Sequence, residues 1–532
     1  MPRLDAQRIA DAEPNLPALL ADGERLRLEH SVLPDYLRTC RWFGAKARKI
    51  RALRISEQIP VAENAAQWWL LQVDYTDGAP DIYSLPVQVA TGATAEVLVR
   101  NSPQAVIARV GTQRAVLYDA IWDADFRESL FRLMASGATL KGKSGQLVGV
   151  GSNLLAQEPN ETPPPSQVLS AEQSNSSMLF ENRFFLKLYR KLENGVNPDV
   201  EVTRFLSERR HFANLPAFVG AIEYRRSCAE PTVVALLQAA VPNEGDAWKL
   251  TLDAVGRYFE RVLARKSHLQ SAVVAPGLLF DEFLGGDYPE KVKLIGQRTG
   301  EMHLALASDP ADAAFAPEPC NASAQRFTYE SMRASLRNAF ALLQMKLPDL
   351  PEAFRGEAVQ VLAAEQQIIA AEQQIIERHA SKIRIHGDYH LGQLLSTGKD
   401  FAILDFEGEP ARPLRERKLK RSALRDVTGM MRSFQYAAYV ALWQPSMRSE
   451  DVPFLERWAD LWYRQMSETF LQSYLGTATG ATFLPQKEND LSLLLEAYLL
   501  DKAVFEVGYE LNHRPEWVVI PIRGIKHILD LP

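Results

Sequence analysis

Cysteine is scarce. Three residues, Cys40, Cys228 and Cys320, lie far apart among 532 positions and show no metal-ligand spacing. That excludes a disulfide scaffold and fits a reducing compartment. A basic excess is also missing: 60 Lys and Arg stand against 66 Asp and Glu, for a formal net charge of -6. A general nucleic-acid binder is therefore not expected. No apolar run approaches the roughly 20 residues that span a bilayer, so no membrane partner is expected either. Met1 to Pro14 carries Arg3, Asp5, Arg8, Asp11 and Glu13 where a secretory signal has its apolar stretch, so a cytoplasmic location is expected. What remains is ordinary for a folded chain, 46% hydrophobic and 24% charged, and too long for one core. The length suggests two to four domains.

The pattern changes along the chain. Residues 1 to about 30 read as helical. From Lys49 to about Val116 short β-rich runs take over, such as Trp68 to Val73 and Ile82 to Val87, separated by turn signals like Thr76-Asp77-Gly78. A helix is expected over Asp123 to Ala135. Gln157 to Ser170, with Pro163 to Pro165, reads as a loop. Met178 to Phe180 and Arg183 to Tyr189 read as two strands joined by Glu181-Asn182, and Thr232 to Leu237 as another strand. After Trp248 the chain is mostly helical, interrupted by a β-like patch near Ile383 to Leu404. One repeat is exact: Ala363 to Ile369 recurs as Ala370 to Ile376. Two heptads are too few for a coiled coil, so one amphipathic helix packed on its own lobe is expected, with a dimer seam as the lesser alternative.

The sharpest chemical signal is His386-Gly387-Asp388-Tyr389-His390-Leu391-Gly392-Gln393, followed by the apolar run to Asp405. A kinase catalytic loop places an acidic base, then a side-chain oxygen ligand five residues on, then a strand and a metal-binding Asp. Asp388 fits the base that orients a substrate hydroxyl and takes its proton. Gln393 and Asp405 fit the ligands that hold Mg²⁺ against nucleotide phosphates. Phosphoryl transfer also needs a cation on those phosphates. Lys187 stands in an otherwise apolar strand, where an unpartnered ammonium is costly, and Glu201 on the following helix is the expected partner. Ser174, Asn175, Ser176 and Ser177 lie between two β runs and lack the glycines of a Walker loop, yet a tight turn of small polar residues can present N–H groups to phosphate. Arg412 to Arg425 holds seven Lys or Arg residues, more often a solvated face than a functional rim. His303 is expected to be a hydrogen-bonded structural histidine.

These stretches together resemble the bacterial maltokinases, within the aminoglycoside-phosphotransferase-like kinases. The resemblance rests on Ser174 to Ser177, Lys187 to Pro198, His386 to Gln393, Leu404-Asp405-Phe406-Glu407-Gly408-Glu409-Pro410-Ala411-Arg412-Pro413-Leu414, Arg425-Asp426-Val427, Leu500 to Leu511 and Ile520 to Ile525. It runs from about Leu33, with Trp42-Phe43-Gly44-Ala45-Lys46, to the end of the chain. It implies an α+β, bilobal protein-kinase-like fold: an N-terminal α/β cap subdomain over 1–95, a β-rich N-lobe over 96–239 and a helical C-lobe over 240–532. It further implies transfer of the γ-phosphate of ATP, with Mg²⁺, to the anomeric hydroxyl of maltose, feeding α-glucan synthesis from trehalose. Trehalose synthase is the implied partner, as a separate chain or a fusion. A hinge at Gln238 to Ala240 is implied to take the adenine, with Gln238 and Ala240 as contacts. His390, Glu409, Lys502, Tyr509 and Arg523 are the implied sugar contacts, and Phe505 stands where the family pattern has a tyrosine. Rival readings are a kinase of glucosamine or of an aminoglycoside, and a pseudokinase regulatory module.

Overall fold

The computed structural model describes residues 8–9, 14–61, 66–111, 114–156, 163–169, 174–271, 280–378, 380–444 and 447–531. The chain divides into two compact units, Met1–Glu208 with Pro216–Val241, and Arg209–Leu215 with Pro242–Pro532. Of the stretch expected to be helical, residues 1 to about 30, helices form over Leu16–Leu19 and Asp22–Arg27, whereas Arg8–Ile9 is a strand and residues 1–7 and 10–13 lie outside the described ones.

The first unit holds two sheets. One contains β1 (Arg8–Ile9), β2 (Ile50–Val61), β3 (Ala66–Tyr75), β4 (Asp81–Thr91), β5 (Val106–Val110) and β6 (Ala115–Asp119), in the order β1-β5-β6-β4-β3-β2. The near-continuous apolar run of β3 has a simple cause. Successive side chains point to opposite faces, so Trp69, Leu71 and Val73 enter the core of this cap while Trp68 and Leu70 enter the core of the neighbouring sheet. A strand buried on both sides does not alternate. Because β5 and β6 belong to this sheet, the cap runs to Asp119 and past the boundary expected at residue 95.

The N-lobe begins with the helix Ala124–Ser136, close to the expected Asp123 to Ala135. Its sheet contains β7 (Thr139–Lys141), β8 (Gln146–Gly151), β9 (Ser166–Leu169), β10 (Asn175–Phe180) and β11 (Phe184–Tyr189). After β12 (Lys191–Leu192), which pairs with β4 of the cap, come β13 (Phe218–Arg225) and β14 (Thr232–Ala239). The order is β7-β8-β13-β14-β11-β10-β9. Two residues with positive φ, Glu181 at 47° and Asn182 at 55°, close the β10–β11 hairpin, the geometry that matches strand twist. The stretch expected as a loop from Gln157 to Ser170 contains β9; its residues 157–162 and 170 lie outside the described ones.

Two buried polar clamps tie the cap to the N-lobe. Arg190 is fully buried, reaching Asp119 at 2.5 Å, the Ser84 carbonyl at 3.3 Å and the Ser176 hydroxyl at 2.8 Å. Burial pushes the Asp119 carboxyl up, and the Arg190 guanidinium pulls it back toward the charged form. Glu57, turned inward at a β2 bulge, accepts from the N–H groups of Lys143 and Ser144 and from the Tyr224 hydroxyl, each at 2.8 Å.

The second unit is helical apart from β15 (Leu394–Ser396) and β16 (Phe401–Ile403), the realised part of the expected β-like patch. The exact repeat does not form one helix. Helices Glu352–Ala363 and Glu365–Gln373 meet at Ala364, and the second copy ends in a 3₁₀ turn over Gln374–Glu377. Ile368 and Ile369 nevertheless pack on Leu500, Val504 and Ile522 of the same unit, so the repeat serves its own core. Among the described residues no helix is long and apolar enough to cross a membrane.

Candidate active site

The His386 to Leu391 loop is held by one face of the helix Leu424–Leu442. Asp426 accepts from the N–H of His386 at 2.7 Å and of Gly387 at 2.9 Å. One turn on, Gly429 lets the Tyr389 carbonyl approach so closely that an added Cβ would meet it at 2.7 Å. A further turn on, the Ser433 hydroxyl accepts from the Leu391 N–H at 3.1 Å. Positions three and four apart share a helix face, so a single helix fixes the loop at three points. His303 stands behind Asp426 with Nε2 at 3.1 Å, and its Nδ1 lies 3.0 Å from the Tyr474 hydroxyl. It is buried and hydrogen-bonded on both ring nitrogens, the structural role expected of it. Within the loop, Gly387 has φ 87° and faces the Cα of Gly408, which a Cβ would meet at 3.2 Å.

The two expected metal ligands come together through β15 and β16. Their antiparallel register pairs Leu394 with Ile403, which puts Gln393 beside Asp405 although twelve residues separate them. The Gln393 amide donates to the Asp405 carboxylate at 3.2 Å. Asp405 adopts φ 61°, a left-handed conformation that a non-glycine residue takes at some cost, a frequent feature of functional loops. A carboxylate oxygen of Glu407 lies within 4.8 Å of one from Asp405. Two carboxylates and an amide are the hard oxygen donors that Mg²⁺ takes, so the residues fit that ion. Glu407 has no position of its own in the catalytic-loop spacing, and only the fold brings its carboxylate to Asp405.

Asp388 lines a cavity whose walls include Glu409, Arg421, Asp501, Lys502 and Phe505. Burial pushes its carboxyl above the usual range, Lys502 and His386 pull it down, and Asp405 and Asp426 raise it again. Glu409 is likewise raised by burial and by Asp388, and lowered by Lys502. The Lys502 ammonium therefore acts on both acids. His390 is pushed down to about 4 by burial and by Lys502 and His386, so it is neutral at physiological pH; its Nδ1 accepts from the Gly392 N–H at 3.1 Å. Lys502 also stands 5.1 Å above the Phe505 ring.

Not every expected residue joins this wall: His390, Tyr509 and Arg523 are outside its lining. Tyr509 is 44% exposed, stacks on His513 with ring centroids 4.4 Å apart, and lies outside the cavity lining. Arg523 reaches Glu357 at 3.1 Å and Glu456 at 2.8 Å, fastening three helices outside the cavity. The basic run is not a solvated face: Arg412, Arg417, Arg421 and Arg425 all line the cavity.

In the first unit, Lys187 is 8% exposed in the centre of the sheet and reaches the Asp199 carboxylate at 3.4 Å, on the same helix as Glu201 and two residues before it. Asp199 also accepts from the Tyr189 hydroxyl at 3.2 Å, and the Asn197 cap orients its backbone. The expected phosphate loop is largely strand. Asn175, Ser176 and Ser177 pair in β10, and the Ser176 hydroxyl faces inward to Arg190, leaving Ser174 at the bend. At the expected hinge, Gln238 is buried in β14 and the Ala240 N–H donates to the Arg183 carbonyl at 2.8 Å. An adenine contact through that N–H requires breaking this bond.

Residues 36–123 match the family model described as the maltokinase N-terminal cap domain. A glucosamine kinase of Streptacidiphilus jiangxiensis is 26% identical over 304 residues, 57% of this chain and 59% of that protein. One of Mycolicibacterium smegmatis is 22% identical over 380 residues, 71% of this chain and 84% of that protein. The chain thus spans about three fifths of the first relative's length. Among solved structures, a glucosamine kinase in a second crystal form superposes with TM-score 0.63 at 20% identity, over 97% of this chain and 100% of that one. A glucosamine kinase in complex with glucosamine, ADP and inorganic phosphate gives TM-score 0.59 at 19% identity, over 93% and 98%. Identity at that level speaks for the fold. The chain carries a maltokinase-type cap on the fold of small-molecule kinases, with a β-rich N-terminal region and a helical C-terminal region.

Proposed function

We propose that this chain, a capped member of the small-molecule kinase fold, is an ATP-dependent sugar kinase with Asp388 as its general base. The observation that carries the reading is Asp388 itself. It stands on a cavity wall, its loop fixed by Asp426, its carboxyl raised by burial and restrained by Lys502. A desolvated carboxylate of this kind accepts a proton from a hydroxyl more readily than an exposed one. Lys187 supplies a cation for nucleotide phosphates. Gln393, Asp405 and Glu407 would hold Mg²⁺, which when bound neutralises charge on the transferred group.

For the acceptor, we place maltose first, phosphorylated on its anomeric hydroxyl, with trehalose synthase as the proposed supplier. The maltokinase-type cap supports this, and so does the charge of the wall. Lys502 is a built-in ammonium acting on Asp388 and Glu409, where an amino sugar would have to bring its own. A neutral sugar meets Phe505 and hydroxyls without that repulsion. Glucosamine is the second reading, and it is the one that whole-chain likeness favours, because the curated relatives carry that name.

The test is ADP release from MgATP across maltose, glucose, trehalose, glucosamine and an aminoglycoside. Maltose is expected to be turned over, glucose at least roughly 10²-fold more slowly in kcat/KM, and trehalose, with both anomeric positions blocked, not at all. Faster turnover of glucosamine would replace maltose and leave the kinase standing; no ADP release with any sugar would overturn the kinase reading.

A further inference from the structure

On the Arg421 side of the second unit's cavity, the guanidinium groups outnumber the carboxylates within reach. Arg421 is half-buried on the wall, and its guanidinium makes one long hydrogen bond, 3.5 Å to the Glu416 carbonyl, with no carboxylate in ion-pair reach among the described residues. Its electrostatic neighbours are Arg425, Arg412, Glu416 and Asp501. Both acids already face another partner. Glu416 lies 3.4 Å from Arg412, and Asp501 lies 3.1 Å from Arg425. Three guanidinium groups therefore share two carboxylates.

A third acid stands behind this wall and does not restore the balance. Glu372 is fully buried, neither of its carboxyl oxygens has a hydrogen-bond partner, and it interacts with Asp501, Arg333 and Arg425. Burial and the Asp501 charge push it up to about 8, so it is mostly neutral at physiological pH. Burial and the two neighbouring arginines press Arg421 down to about 10. Like charges crowded in a partly desolvated cavity are relieved by an anion. The same cavity presents the Ser331 and Ser335 side chains, one helical turn apart, and Tyr498. Guanidinium forks and hydroxyl donors are what a phosphate group accepts from, and Arg matches it in two-pronged fashion.

We propose that Arg421, with Arg412, Arg425, Ser331 and Ser335, forms an anion subsite that takes a phosphate or a phosphate monoester, separate from the nucleotide phosphates. The site acts on ligands with this chemistry from two sources, free inorganic phosphate or a sugar phosphate entering the acceptor cavity. It does not depend on which sugar is phosphorylated, and its test involves no turnover, so its failure is distinct from failure of the kinase reading.

The experiment is calorimetric titration of inorganic phosphate, and in a second arm glucose 1-phosphate, into the full chain. Buffer lacks Mg²⁺ and nucleotide, and chloride holds ionic strength constant. Saturable binding is expected, weakened at least tenfold in Arg421→Met and largely kept in Arg421→Lys, which retains the charge. Ser331→Ala with Ser335→Ala should weaken it by a smaller factor without the loss of a core side chain. Arg448→Met, at an exposed arginine outside the cavity lining, should bind as the parent does. A dependence on Arg421 in only one arm identifies the source and supports the site. Absence of saturable binding in both arms overturns it, as does binding lost in Lys187→Met and kept in Arg421→Met.

Discussion

Arg190 and Arg421 show two ways of treating a guanidinium. Arg190, in the first unit, is wholly buried and every direction it points is answered: a carboxylate, a hydroxyl and a carbonyl. Arg421, in the second unit, sits on a cavity wall with a single long bond and two cationic neighbours. The first arrangement is structural, since charge matched by protein has nothing left to offer a ligand. In the second, most of the guanidinium's donors are not taken up by protein acceptors. Asp388 belongs to the second kind and Glu57 to the first.

The largest expected effect breaks the unmatched side. Asp388→Asn removes the proton acceptor while keeping shape, and kcat should fall by about 10²–10⁴-fold with ATP affinity little changed. Steady-state kinetics with nucleotide titration would check it; a variant retaining a tenth of parental kcat would refute the assignment. The matched side breaks differently. Asp119→Ala strands Arg190 without its counter-charge, and unfolding by urea should show a loss of about 3–5 kcal/mol. A change under about 1 kcal/mol would mean that the clamp contributes little.

Glu372 sharpens the contrast through pH. Its folded-state pKa is raised to about 8 from an ordinary 4.5, so its contribution to stability is intact below 4.5 and is lost as pH rises through 8, while the unfolded chain gains by ionising. Glu372→Gln should abolish that decline and leave the variant roughly 1–3 kcal/mol more stable than the parent at pH 8, with little difference at pH 4.5. Parallel stability–pH curves would contradict it. The smallest effect concerns Lys502. It pulls Asp388 down, so Lys502→Met should move the acid limb of kcat to higher pH. An unmoved limb would separate Lys502 from Asp388.

Local signals were legible in the sequence. The Glu181-Asn182 turn, the helix after Asp123 and the pairing of Gln393 with Asp405 all follow from short-range pattern, because turn chemistry, capping and strand register act over a few residues. What stayed hidden depends on residues brought from afar. Asp426 stands in a stretch that carries the resemblance, but its role, serving the His386 loop from forty positions away, is announced by no spacing. Arg190 draws Ser176 inward from across the hairpin, so small polar residues that look like a phosphate loop form a strand. The Arg412 to Arg425 run reads as surface because charge usually is; the fold turns one side of it into a cavity. Tyr509 and Phe505 are one turn apart on one helix, and only packing reveals which ring the cavity receives.

The pairing of β12 with β4 bears on how the molecule is made and on where it can be cut. Beside Ile82 and Tyr83 the cap sheet is completed by Lys191 and Leu192, and the Ser84 N–H donates to the Arg190 carbonyl at 2.7 Å. During synthesis the cap therefore waits about a hundred residues for its last strand, which arrives directly after the strand that carries Lys187. A fragment ending near Asp123 would show that stretch of β4 as an open edge, with its N–H and C=O groups free to recruit a neighbouring chain. Such a fragment should self-associate, and supplying residues 184–192 as a peptide should suppress it.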